Sequence, residues 1–224
     1  NPYLDNRFAV AVITTNYVLD CDTPLHPATR KGRDLSYQIG LSGAVSGLER
    51  WRRKRRPSHL GPYPVEDLKR VDRPTTLIID DEVQRSPMRA NGFFRAAHGD
   101  FGDRPAAEVK RFIKKSPISA AFSEVGKHLI KAQDGEVAAE VAPISNDPQK
   151  LSEHIKSLSY FLDADLTGIC EAKDYCWYSH DKHGKVIEPY HSHAIVMIID
   201  QGFTTMDSAS GDDWISGAQS YRAY

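Results

Sequence analysis

The stretch from His191 to Tyr224 constrains the fold of this chain more than any other. Ser192-His-Ala-Ile-Val-Met-Ile-Ile-Asp200 is too short and too rich in β-branched residues for a free-standing helix. It reads as a core strand covered on both faces, so a sheet lies inside the fold. A polar loop follows, then a segment in which Tyr221 and Tyr224, three residues apart, share one face if the segment is helical. Loops that leave strand ends are where open α/β sheets place ligands. A helix broken off at Tyr224 sets the expectation that the chain stops before its fold does.

At 224 residues the chain can form one large domain or two small ones. Twenty-nine Lys and Arg against thirty Asp and Glu give a net charge of −1, so no global field recruits nucleic acid or an anionic membrane. Three widely spaced cysteines, Cys21, Cys170 and Cys176, fit a reducing compartment better than a disulfide scaffold. With no signal peptide and no apolar run long enough to span a bilayer, the expectation is a soluble, cytoplasmic protein.

Phe8-Ala-Val-Ala-Val-Ile-Thr-Thr15 reads as a strand and Asp20 to Pro27 as a loop. Leu35, Ile39, Leu41, Val45 and Leu48 fit helical spacing only loosely, and Gly40, Gly43 and Gly47 weaken that helix. Trp51-Arg-Arg-Lys-Arg-Arg-Pro57 and the Pro/Gly-rich run after it read as a connector, with a boundary between residues 50 and 75. Beyond it, Phe93 and Phe94 sit beside glycine and favour neither regular state. Ser116-Pro117 starts a helix with Ile118, Ala121, Phe122, Val125 and Leu129 on one face. Asp147-Pro148 starts another, with Leu151, Ile155, Leu158 and Leu162 in a stripe. Leu166–Glu171 and Tyr175–Tyr178 read as short strands, and Asp181–Gly184 as a turn. The order predicts an α+β or α/β sandwich in which the Val196 strand lies beside the Ile169 strand.

Several groups could carry chemistry. Cys170, Cys176, His180, His183, His191 and His193 are the residue types of a zinc or copper site, but they lack a C-x2-C pair. A buried cysteine and surface histidines explain them as well. The five cations from Arg52 to Arg56 could meet phosphates; pairing with acidic residues of another domain or subunit fits the near-neutral chain better. Asp80-Asp-Glu82 and Asp212-Asp213 could hold Mg²⁺, although the second pair also suits a helix start. Tyr221 and Tyr224 are either packing residues or, beside a cation, general acids.

The run Arg85-Ser-Pro-Met-Arg-Ala-Asn-Gly-Phe-Phe-Arg-Ala-Ala-His-Gly-Asp100, then Leu162–Cys170, His193–Ile199 and Gly217-Ala-Gln-Ser-Tyr-Arg-Ala-Tyr224, resembles the N-terminal half of cobalamin-dependent reductive dehalogenases, which are related to epoxyqueuosine reductase. Phe8 to Leu25 looks like the segment that follows the corrinoid-binding core in these enzymes. The resemblance therefore implies three parts. Residues 1–50 end a degenerate N-terminal repeat, 51–74 form a basic linker, and 75–224 begin the catalytic, nitroreductase-like domain. A doubled core without an export signal is similar to the soluble, catabolic branch.

The family likeness further implies an oxidoreductase that removes halide from a halogenated aromatic or phenol, using cobalamin and two [4Fe–4S] clusters fed by an electron-donating partner. It places the proton-donor tyrosine at Tyr221 or Tyr224, and Phe93 and Phe94 in the substrate and corrinoid pocket. No C-x2-C-x2-C-x3-C run is present, so the cluster ligands are expected beyond Tyr224 and the chain alone is expected to be inactive. No nucleic acid or membrane partner is expected. The alternatives are a non-catalytic corrinoid- or partner-binding domain and, from the Cys/His group alone, a metal-dependent hydrolase.

Overall fold

The computed structural model of the protein describes residues 8–24, 56–79, 81–112, 114–132, 136, 138–201, 218, 220 and 221. The loosely helical pattern between Leu35 and Leu48, and the acidic pair Asp212-Asp213, lie outside them.

The fold is α+β. Strands β1 (Phe8–Thr15), β2 (Leu166–Glu171) and β3 (His193–Asp200) form one antiparallel sheet in the order β1-β3-β2. Every residue of β3 is buried or half-buried, as its unbroken apolar run predicts for a central strand. Its register runs from Phe8↔Asp200 to Thr15↔His193 on one side, with Ile169↔Ile195 and Gly168↔Val196 on the other. The strand expected to close a first unit and the strand at the centre of the second thus share a sheet.

Four α-helices lie among the described residues: α1 (Gly92–Ala97), α2 (Asp103–Arg111), α3 (Pro117–Lys131) and α4 (Pro148–Phe161), of which α4 packs against β2 and α1 against α2. The starts of α3 and α4 follow from their caps. Ser116 Oγ accepts from Ser119 N at 3.1 Å while Ser119 Oγ accepts from Ser116 N, and Pro117 sits in the first turn, where no donor is lost. Asp147 Oδ1 accepts from Gln149 N at 3.0 Å ahead of Pro148. Helix α2 has no such cap and few large apolar residues, so neither a start signal nor a periodic stripe marks it in the sequence.

Two expectations change. Tyr175–Tyr178 is not a strand: Asp174–Cys176 make a single tight turn, with Trp177 N donating to Asp174 O. Two residues on, Ser179 N donates to Ser86 O. The apolar stripe of α3 is also not its buried face. Ile118, Val125 and Leu129 are 57%, 56% and 49% exposed, and Ser119, Ser123 and Gly126 are buried instead. In α4, Leu151 and Ile155 pack against Leu19, Ile169 and Ile195, whereas Leu158 and Leu162 remain exposed. The small residues on these inner faces leave room for a ring over Gly126 and for Ser152 Oγ to bond the backbone of Asp20.

A second core cluster joins Tyr63 and Leu166, with Val65 and Ile198 against them. Arg56, the one cation of the basic run within the described residues, organises the turns around Tyr63. Its Nε donates to Gly61 O at 3.0 Å and its two terminal nitrogens reach Glu66 at 2.5 and 2.8 Å. For this cation an acidic partner is local, ten residues on; the other four of the run lie outside the described residues. Hydrogen bonding to Arg56 is the main cause that holds the Glu66 carboxyl below the usual range. A depressed carboxylate pKa stabilises the fold above the unfolded value of about 4.3 and loses that contribution as pH falls through the folded value. Partial exposure limits it to less than about 1 kcal/mol. Arg56→Gln is expected to shrink the acid-side fall in stability by that amount, read from urea midpoints between pH 3 and pH 6.

The loop after β1 is clamped between β2 and α4. Asp22 N donates to Ile169 O at 2.9 Å, Ile169 N returns a bond to Asp22 Oδ2 at 2.8 Å, and Lys156 Nζ reaches Asp22 Oδ1 at 2.6 Å. Ser152 Oγ both accepts from Asp20 N and donates to Asp20 O. The free edge of β2 is covered in this way.

Candidate active site

Phe93 and Phe94 stand on α1, a helix of little intrinsic stability held by its surroundings. Asn91 Oδ1 accepts from Phe93 N at 2.9 Å, and Asn91 Nδ2 donates to Tyr178 Oη at 3.2 Å. The chain before α1 is laid against the excursion between β2 and β3: Met88 N donates to His180 O and Ser179 N to Ser86 O, both at 2.9 Å. Arg85 donates to the carbonyls of Tyr178 and Ile187. Arg89 grips Asp100 with two bonds of 2.9 and 2.8 Å, closing the turn after α1. On this support the Phe93 ring is 60% exposed and meets Phe112 at 5.8 Å, while Phe94 is half-buried. An exposed aromatic face on a braced helix can take a flat apolar ligand.

The same excursion stacks Trp177 and Tyr190, which no motif singled out, against His191 of the Cys/His set. Trp177 lies 4.7 Å from Tyr190 and 6.2 Å from His191, ring to ring. Trp177 Nε1 and His191 Nδ1 are buried without a hydrogen-bond partner. Unpaired buried polar atoms of this kind are costly and call for an acceptor.

Tyr221 is half-buried on α3. Its ring meets Phe122 edge-on at 6.4 Å and 84°, and lies directly over Gly126. Lys127, beside Gly126, has its pKa raised chiefly by a hydrogen bond to Glu124, with a smaller contribution from the Tyr221 phenol. Phe93 and Tyr221 thus rest on different aromatic partners. Tyr224 and residues 202–217 lie outside the described residues. Gly126 is the sequence signal for this contact: a glycine inside a periodic helix costs about 1 kcal/mol relative to alanine and implies a close neighbour.

A cavity of about 390 Å³ opens between α4, the turns around His59 to Arg70 and the sheet, with Asp22, Lys156, Arg70 and Tyr160 in its wall. None of Phe93, Phe94 or Tyr221 lines it. Burial pushes the Tyr160 phenol up, and its oxygen accepts from Thr167 N at 3.1 Å. Desolvation is also the leading cause that raises the Cys21 and Cys170 thiols, which disfavours the thiolate a soft metal needs. Among the described residues no group of three His, Cys, Asp or Glu side chains is arranged to hold a metal ion. No helix among them is long and apolar enough to cross a membrane.

Over most of its length the chain is structurally homologous to reductive dehalogenases. It matches the catabolic reductive dehalogenase NpRdhA, N-terminally tagged, with a TM-score of 0.70 and 42% identity over 81% of this chain and 27% of that one. The same enzyme in complex with 3-bromo-4-hydroxybenzoic acid gives the same TM-score, identity and coverage. A further reductive dehalogenase, whose structure is described as suggesting a mechanism for B12-dependent dehalogenation, matches at TM-score 0.71 and 39% identity over 91% of this chain and 30% of its own. The chain therefore spans under a third of the length of these structures. No protein-family model matches it, and no curated protein does.

Proposed function

We propose that this chain is the corrinoid-facing, tyrosine-bearing part of a reductive dehalogenase with a nitroreductase-like core, which replaces a halogen of an aromatic, phenolic substrate by hydrogen. The observation that carries this reading is 42% identity over 81% of the chain to a catabolic reductive dehalogenase, in a structure that also exists with a brominated hydroxybenzoic acid. The overall change, R–X + 2e⁻ + H⁺ → R–H + X⁻, needs a source of electrons and a proton donor.

The residues present suit part of a cobalamin seat. Phe93 offers an open aromatic face, and Trp177 Nε1 and His191 Nδ1 are buried polar atoms that acceptors and donors such as corrin amides would satisfy. Bound there, cobalamin would supply the reducing chemistry at the carbon–halogen bond. The [4Fe–4S] clusters do not fit this chain: each takes four cysteine ligands, and the chain has three cysteines in all. Those ligands, the electron-donating partner's docking face and most of the substrate pocket belong to the remainder of the parent enzyme.

What this chain contributes is positioning and a proton. Phe93 and Phe94 orient the flat reactants and keep water off them, and Tyr221 or Tyr224 delivers the proton to the carbon losing halide. The exposed apolar face of α3, with Ile118, Val125 and Leu129, supports a part that is covered by more protein in the working enzyme. The complete protein, reconstituted with cobalamin and clusters and given a low-potential reductant, is expected to release halide from a halogenated 4-hydroxybenzoate. Bound cobalamin without halide release would overturn the reading.

A further inference from the structure

The tyrosine segment is seated on α3 by the absence of a side chain. A Cβ added at Gly126 would overlap Cδ1 and Cε1 of Tyr221 and come within 3.0 Å of its Cγ. Cδ1 and Cε1 form one edge of a rigid ring and Cγ does not move when that ring turns about Cβ–Cγ, so Tyr221 would have to change rotamer or one of the two backbones would have to shift. Phe122, one helical turn before Gly126, closes the same slot with its edge-on contact to the ring. The inner face of α3 continues with Ser119 and Ser123, both fully buried, and Ser123 Oγ has no hydrogen-bond partner. Ala218, three residues before Tyr221, is fully buried too. A long helix with an N-terminal capping box thus presents a slot shaped for one ring, and the ring lies in it.

We propose that Gly126 and Phe122 of α3 form a seat that positions Tyr221, and with it the segment carrying the proton-donating phenol; this rests on the dehalogenase reading above. Both are positioning residues, because they act through their contacts with Tyr221. Where Tyr221 is the proton donor, a seat of this kind fixes the donating phenol itself. It also explains why α3 keeps a glycine where alanine would make the better helix.

Thermal melting of the chain carrying Gly126→Ala, Tyr221→Ala or both tests the seat without any cofactor. With the ring present the added methyl is expected to lower Tm. With the ring removed the same substitution is expected to raise Tm, because alanine is the better helix former. The cobalamin-loaded complete enzyme tests the positioning role: Gly126→Ala is expected to lower kcat about 100-fold, with KM changed by less than about twofold. A rise in Tm in both backgrounds overturns the seat. Thermal coupling with unchanged kcat overturns the positioning role. Wild-type enzyme that frees no halide, with the coupling intact, overturns the dehalogenase reading and upholds the seat.

Discussion

Tyr→Phe at the proton-donating position is expected to lower the turnover of the complete enzyme by about 10²–10⁴-fold while cobalamin stays bound. The substitution removes one hydroxyl and keeps the ring. In Y221F the contacts to Phe122 and Gly126 therefore survive, since both are made by ring carbons. Loss of activity in that variant at unchanged Tm would be a loss of chemistry rather than of packing. A phenol O–H can hand over its proton as negative charge develops at the carbon losing halide. Phenylalanine offers nothing in exchange. Halide release and the visible absorbance of bound cobalamin, measured for Y221F and Y224F side by side, divide the two candidates. Full activity in both variants would sink the assignment of a tyrosine donor in this segment.

The parts of the fold legible in the sequence are those specified locally. Ser116-Pro117 and Asp147-Pro148 announce α3 and α4 because capping is a contact between residues two or three apart. The apolar run of β3 announces a central strand because two-sided burial needs apolar residues throughout. Asp181 declares its turn by accepting from His183 N and Lys185 N, with Gly184 at φ 82°. What stayed hidden depends on distant partners. Nothing near Asn91 shows that α1 will be pinned by Tyr178, and nothing near Tyr175 shows that Ser179 will pair with Ser86.

The reversal of α3 is the more instructive case. A stripe of Ile118, Val125 and Leu129 normally marks the buried side, because apolar area is what burial rewards. In this chain the buried side is Ser119, Ser123 and Gly126, where small residues allow a ring to lie against the helix backbone. Periodicity reports where the large side chains point, not which face touches the rest of this chain. The candidate site divides in the same way. The resemblance marked Phe93, Phe94 and the tyrosines; the supports beneath them, Asn91, Phe112, Phe122 and Gly126, follow only from the packing.

Asp22→Ala is expected to destabilise the fold by about 2–4 kcal/mol, because one carboxylate serves two elements at once. Asp22 Oδ2 accepts from Ile169 N, a donor on the edge of β2 that pairs with no strand among the described residues, and Oδ1 meets Lys156 of α4. Both side chains of the ion pair are largely shielded, at 25% and 19% exposure, so water replaces the lost bonds poorly. Removing the carboxylate strands the Ile169 amide and a lysine together, and it frees the loop whose Asp22 N also pairs with Ile169 O. Asp22→Asn separates the two contributions. Its amide oxygen can still accept from Ile169 N while the charge opposite Lys156 is gone, so it is expected to cost about half as much. Lys156→Met probes the other side: it removes the ammonium but keeps the stem packed, and its cost should not add to that of Asp22→Ala, since the two share one interaction. Urea unfolding of the single and double variants measures the coupling directly. Additive losses would mean that the pair is not what holds the loop against the sheet.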